Sequence, residues 1–146
     1  MKVIIHQLAD WDRLAQQLAE RLPEHAVLTL SGPLGAGKTT LVQALARAFG
    51  ANENPRSPTF SLVRSYKLAN GARFKTLVHV DAYRLERPED ALALGLDELA
   101  AEDGSLLVVE WPEKLGNLLR ALHKPIVQLT IIQDAGTDLR RVEVTE

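Results

Sequence analysis

The nine residues Gly32-Pro33-Leu34-Gly35-Ala36-Gly37-Lys38-Thr39-Thr40 constrain this chain more than any other stretch. They fit the pattern G-x-x-x-x-G-K-S/T, that of a phosphate-binding loop. The flanks suit the pattern. The apolar run Ala26-Val27-Leu28-Thr29-Leu30 comes just before and reads as a buried strand. Helical spacing follows, with Leu41, Leu45 and Phe49 on one face and Gly50 placed as a stop. The loop therefore turns a strand into a helix.

The residue types follow from the physics of such a turn. Glycines let the backbone approach closely and take positive φ, which a Cβ resists. Successive N–H groups then converge on a phosphate, helped by the helix N-terminus. Gly35, Ala36, Gly37, Lys38, Thr39 and Thr40 are the expected nucleotide cradle. The Lys38 ammonium reaches for the β- and γ-phosphates, and the Thr39 hydroxyl for Mg²⁺. The plainer alternative is a glycine-rich turn with a surface lysine, which leaves the flanking strand and helix a coincidence.

At 146 residues the chain suits one domain, 1–146, with one substantial core. With 46% hydrophobic residues it reads as globular. It has no cysteine, which excludes disulfides and thiolate metal sites. No apolar run is long enough for a membrane span, and the start turns quickly into a charged amphipathic helix unlike a signal peptide. A cytoplasmic protein is the expectation. The 17 basic and 19 acidic residues leave a net charge of −2, which argues against binding nucleic acid by bulk electrostatics.

Val3-Ile4-Ile5 reads as a short first strand. Asp10 is placed to cap a helix whose stripe is Trp11, Leu14, Ala15, Leu18 and Leu22, with Pro23 ending it. Trp11 reads as core packing. After the loop unit, Ala51 to Ser57 is polar loop. Phe60 to Leu68 and Arg73 to Val80 read as strands joined at Ala69-Asn70-Gly71. Pro88 opens a short helix that stops at Gly95, and Leu96 to Leu99 adds a turn. Ser105 to Val109 is an apolar strand, and a short helix is expected around Lys114 to Leu122. Two last strands, Ile126 to Ile132 and Leu139 to Val144, flank the Asp134-Ala135-Gly136 turn. The mixture predicts one α/β sheet, mostly parallel, with an antiparallel hairpin portion.

Ligands of open α/β sheets sit beyond the carboxyl ends of the strands. Asp81 and Glu110 each follow four mostly apolar residues and occupy such ends. Phosphoryl transfer needs Mg²⁺ held by the loop hydroxyl and a strand-end acid, and a second group to orient the attacking water. One acid for each role is the reading, with the division between them open; the plainer alternative is that one of them is an ordinary solvated strand-end acid. His79 reads as a packed, hydrogen-bonded residue. Arg84 is placed either to reach a phosphate or, more simply, to form a surface salt bridge. Thr59, in the proline-bearing Ser57-Pro58-Thr59 segment, is either a plain turn residue or a sensor of the γ-phosphate and Mg²⁺. Arg64, Lys67, Arg73 and Lys75 cluster on the expected hairpin, as a solvated face or a docking patch.

Together these motifs resemble the TsaE (YjeE) family of small bacterial ATPases. The matching pieces are Leu34-Gly35-Ala36-Gly37-Lys38-Thr39-Thr40, Ser57-Pro58-Thr59-Phe60, Asp81-Ala82-Tyr83-Arg84-Leu85, Gly95-Leu96-Asp97-Glu98-Leu99 and Val109-Glu110-Trp111-Pro112. Pro33 departs from the pattern, where an acidic residue is expected. The resemblance implies the P-loop nucleoside triphosphatase fold and Mg²⁺-dependent hydrolysis of ATP to ADP and phosphate. It implies support of N6-threonylcarbamoyladenosine formation at position 37 of tRNAs, with the proteins TsaD and TsaB as partners and tRNA met through that complex. By the same resemblance Thr39 and Glu110 flank Mg²⁺, Asp81 belongs to the hydrolytic site, and Ser57, Pro58 and Thr59 form a nucleotide-responsive switch.

Two other classes compete. A small-molecule kinase uses the same loop but needs an acceptor pocket and usually an arginine-bearing lid, and the chain shows no obvious lid insertion. A nucleotide-dependent assembly module without significant hydrolysis needs neither carboxylate, yet both are present. A GTPase is disfavoured because no N-K-x-D motif appears.

Overall fold

In the computed structural model, residues 1–55 and 63–146 are described. The expected switch residues Ser57, Pro58 and Thr59 lie outside them. Among the described residues, seven strands form one sheet in the order β1-β7-β6-β2-β5-β4-β3. The strands are β1 (Lys2–Ile5), β2 (Val27–Ser31), β3 (Val63–Lys67), β4 (Thr76–Asp81), β5 (Ser105–Glu110), β6 (Ile126–Gln133) and β7 (Arg140–Thr145). The helices are α1 (Leu8–Arg21), α2 (Lys38–Ala48), α3 (Glu89–Ala93), α4 (Leu96–Ala101) and α5 (Leu118–Ala121).

The middle of the sheet is parallel: β2 pairs with both β5 and β6, and β5 pairs with β4. The margins are antiparallel, β3 on β4 at one side and β7 with β1 on β6 at the other. Strands covered on both faces read as unbroken apolar runs. β2 and β5 do, with every residue of β5 buried. β6 instead alternates buried and exposed residues from Val127 to Ile131, as a strand with one wet face does. The side chains of the sheet feed two cores. Leu28, Leu30, Leu77, Leu106 and Val108 face α1 and α2. Val27, Val78, Val80, Leu107 and Val109 face α3, α4 and Leu119 of α5.

The stripe Trp11, Leu14, Ala15, Leu18 and Leu22 is buried as read. Asp10 differs. The N-cap of α1 is Gln7, and Asp10 closes a capping box from the N3 position. Its Oδ2 accepts the N–H groups of His6 (2.8 Å) and Gln7 (3.1 Å). β4 starts at Thr76, later than Arg73, and the Arg73 guanidinium donates to the carbonyl oxygens of Ala19 and Leu22 at the end of α1. The helix expected over Lys114 to Leu122 is split into a 3-10 turn, Pro112–Leu115, and α5. Gly116, at φ +56°, breaks it.

Candidate functional site

The order of the strands places the site. The chain leaves β2 through α2 toward β4, skipping the place that β5 fills, and returns from β5 across to β6. Such a switch in direction opens a crevice at the carboxyl ends of the central strands. Ser31, Asp81 and Glu110 end β2, β4 and β5 there, with Asp81 directly opposite Glu110 in the ladder. Two further bonds lock these ends together: the Ala82 N–H donates to the Glu110 carbonyl (3.1 Å) and the Trp111 N–H to the Leu30 carbonyl (3.3 Å).

The loop after β2 runs over Gly32 to Gly37. Its turn is closed by the Ala36 N–H donating to the Pro33 carbonyl (3.1 Å). Pro33 therefore acts through its backbone, which any residue supplies. Gly37 caps α2 at φ +114°, a conformation that L side chains avoid. A Cβ there would lie 2.4 Å from Trp11 Cζ2. Trp11, buried in the core, is thus also the wall against which the loop closes. A cavity beside the loop is lined by Trp11, Gly35, Ala36, Gly37, Thr40 and Arg140, among others. Arg140 donates from Nε to the Ala36 carbonyl (3.2 Å). It lies 104 residues away, so no local pattern in the sequence marks it.

Lys38 is 5% exposed. Its Nζ donates to the carbonyl oxygens of Gly32 (2.6 Å) and Pro33 (2.8 Å) and lies 4.3 Å from the centre of the Trp111 ring. Burial pushes this ammonium below the usual lysine range, and the charges of Glu110, Asp81 and Glu113 pull it back up. Trp111 stands at φ +59°, unusual for a bulky residue, with its ring tilted on Tyr83 at 5.0 Å. The sequence marks Trp111 only as the neighbour of Glu110; its place over Lys38 comes from the strand end.

Thr39 Oγ1 lies 3.3 Å from both carboxylate oxygens of Glu110. That is long for a direct O–H···O bond. Oxygens this near to one another can both reach one small cation such as Mg²⁺, whose ligands stand at about 2.0–2.1 Å. Hard oxygen donors, few in number, fit that ion, which keeps several waters and usually takes only one or two carboxylates with substrate phosphates. No cluster of three or more metal-ligating side chains occurs among the described residues. Asp81 is half-buried, and its Oδ1 accepts the Tyr83 N–H (3.1 Å). His79 is fully buried with Nε2 2.6 Å from Glu110 Oε2, in keeping with the packed, hydrogen-bonded reading.

Gly35, Ala36, Gly37, Lys38, Thr39, Thr40, Asp81 and Glu110 thus meet at one edge of the sheet. Some motif residues do not. Gly95 is the left-handed N-cap of α4, and Leu96 is buried in the core on the other face. Arg73 is committed to α1, and Arg64 lies near Glu53 (3.9 Å) and Tyr66. The surface cluster is thereby reduced.

A seven-stranded mixed sheet with a glycine-rich loop between its central strand and a helix is the P-loop nucleoside triphosphatase fold. The family model for "Threonylcarbamoyl adenosine biosynthesis protein TsaE" matches residues 5–142. The chain belongs to the TsaE family. A tRNA threonylcarbamoyladenosine biosynthesis protein TsaE from Rickettsia felis is 35% identical over 130 residues, 88% of this chain and 71% of that protein. The protein of the same description from Aquifex aeolicus is 40% identical over 116 residues, 77% of each chain. A crystal structure of Bacillus subtilis YdiB superposes with a TM-score of 0.66 at 29% identity, covering 97% of this chain and 82% of that one. A second Rickettsia relative, from Rickettsia conorii, is longer, and the chain spans 63% of it. No helix among the described residues is long and apolar enough to cross a membrane.

Proposed function

We propose that the chain binds ATP with Mg²⁺ and hydrolyses it to ADP and phosphate in support of threonylcarbamoyladenosine formation at position 37 of tRNAs, acting with TsaD and TsaB. Family membership and the names of its relatives support the pathway. The observation that carries the chemistry is the meeting of Thr39 with Glu110, 71 residues apart, beside Lys38 and opposite Asp81.

In this reading the N–H groups of Gly35 to Thr40 take the phosphates at the start of α2. Lys38 exchanges two carbonyl oxygens of its own loop for phosphate oxygens, so its charge is already desolvated and aimed before the substrate arrives. Thr39 and Glu110 would hold Mg²⁺, which would supply positive charge against the phosphates in the transition state. Asp81, on the adjacent strand end, orients the attacking water and takes up its proton as the bond from the γ-phosphorus to the bridging oxygen breaks. The base and sugar take the cavity walled by Trp11 and Arg140. ATP serves here as fuel for a conformational cycle read by the partner proteins, and tRNA is reached through them.

Phosphate release from ATP, with and without acceptor molecules, tests the proposal. Glu110→Gln and Asp81→Asn keep shape and delete charge, and each should lower turnover by at least about a hundredfold, in the range of lost general-base or oriented electrostatic catalysis. Thermal melts on the same samples should move far less. An unchanged rate in either variant returns that residue to the role of a plain strand-end acid. Phosphate transferred to an acceptor would favour the kinase class, and binding without turnover the assembly module.

A further inference from the structure

We propose that His79 is the positioning residue that aims the Glu110 carboxylate at Thr39. The inference rests on the reading of Thr39 and Glu110 as the pair that holds Mg²⁺.

His79 sits inside β4 with no exposed surface, on the face that carries Leu77 and, on β5, Leu106 and Val108. An imidazole among such neighbours gives up its hydration and must recover it from partners. It has one among the described residues. Nε2 lies 2.6 Å from Oε2 of Glu110, which is itself only 3% exposed. A carboxylate only accepts, so Nε2 carries the hydrogen and donates. Nδ1 is buried with no partner among the described residues. A histidine kept only for packing loses nothing if replaced by leucine. Here the fold tolerates an unmatched nitrogen and retains the bond to Glu110.

The consequence for Glu110 is geometric. It ends β5 within reach of the Lys38 charge, toward which a free carboxylate is drawn. The bond at Oε2 removes that freedom and leaves both oxygens 3.3 Å from the Thr39 hydroxyl. A donor behind a ligating carboxylate fixes its direction, and removal of such a donor typically costs about 10–100-fold in metal affinity or activity. The chain Thr39–Glu110–His79 thus ties α2, β5 and β4 into one unit at the site.

Two substitutions in the full chain test this. His79→Gln keeps an N–H donor at similar reach, whereas His79→Leu fills the space without one. The Mg²⁺ midpoint is read from thermal stabilisation by a non-hydrolysable ATP analogue, and turnover is measured separately. His79→Leu should raise the midpoint and lower kcat by about 10–100-fold each, with nucleotide affinity in the absence of Mg²⁺ unchanged. His79→Gln should recover most of both. A folded leucine variant with the parental midpoint overturns the proposal, as does a folded glutamine variant as impaired as the leucine one. Should neither variant fold, the imidazole resonances of the unaltered protein decide. The His79 Nε2–H signal should shift when Mg²⁺ is added to the nucleotide-bound protein, and indifference to Mg²⁺ overturns the proposal. An unaltered chain without Mg²⁺-dependent nucleotide binding would instead overturn the functional reading beneath it.

Discussion

Asp10 and Lys38 stand at the starts of two adjacent helices, and their surroundings act on them in opposite ways. The Asp10 carboxyl is held below its ordinary range, first by the His6 N–H and then by Gln7 and by the charges of Arg13 and His6, against an opposing burial effect. Its folded form therefore prefers the charged state more than the unfolded chain does. The stabilisation is complete above the ordinary aspartate value of about 3.9 and is lost as pH falls through the lower folded value. Asp10→Asn should melt at a lower temperature at pH 7, and the two melting curves should converge toward pH 2. A constant gap across that range would show that shape, not charge, sets the contribution. Lys38 shows the reverse, since burial disfavours its charge. In the proposed function this cost is what a desolvated cation beside phosphate requires.

At the scale of elements, the packing of α1 on α2 carries the loop. Gly37 is required twice, for its φ of +114° and for the absence of a Cβ against Trp11. Gly37→Ala should destabilise the protein by about 1–3 kcal/mol through overpacking and weaken nucleotide binding, because the N–H groups lose their aim. Shortening the obstacle with Trp11→Leu in that background should recover part of the stability but not the binding, since the backbone conformation still disfavours alanine. Residues in contact couple in this manner, whereas independent sites add. Melts of the two single variants and the double variant distinguish the cases, and strict additivity would remove the wall role of Trp11. The same element scale explains the reduced basic cluster: Arg73 is spent on carbonyls at the end of α1.

At the scale of the molecule, β2 lies between β5 and β6, and the loop leaves its carboxyl end beside the ends of β4 and β5. A change at that end reaches partners only if they bind the nucleotide states unequally. In the proposed cycle the TsaB–TsaD pair therefore binds the chain with different affinity in ADP and in a non-hydrolysable ATP analogue, and Thr59→Ala shrinks that difference. Titrations in both nucleotides, with hydrolysis measured with and without the pair, check this. Equal affinities and an unchanged rate would remove the cycle.

Local chemistry made the loop, its flanking strand and helix, the stripe of α1 and the two strand-end acids legible in the sequence. Each rests on a spacing of a few residues: the glycines and lysine of the loop, the helical period, an acid closing an apolar run. The mixed sheet was legible from the mixture of strands and helices along the chain, with hairpins marked by their turns. What the linear order could not carry was adjacency across the sheet. Asp81 faces Glu110 because β5 enters between β2 and β4. Arg140 reaches Ala36 because β7 folds back on β6. Trp111 covers Lys38, and His79 meets Glu110, because parallel strands bring distant residues to one edge and one face. The kinds of residue at the site follow from local physics; their distances follow from tertiary packing, which alone decides which strands lie side by side.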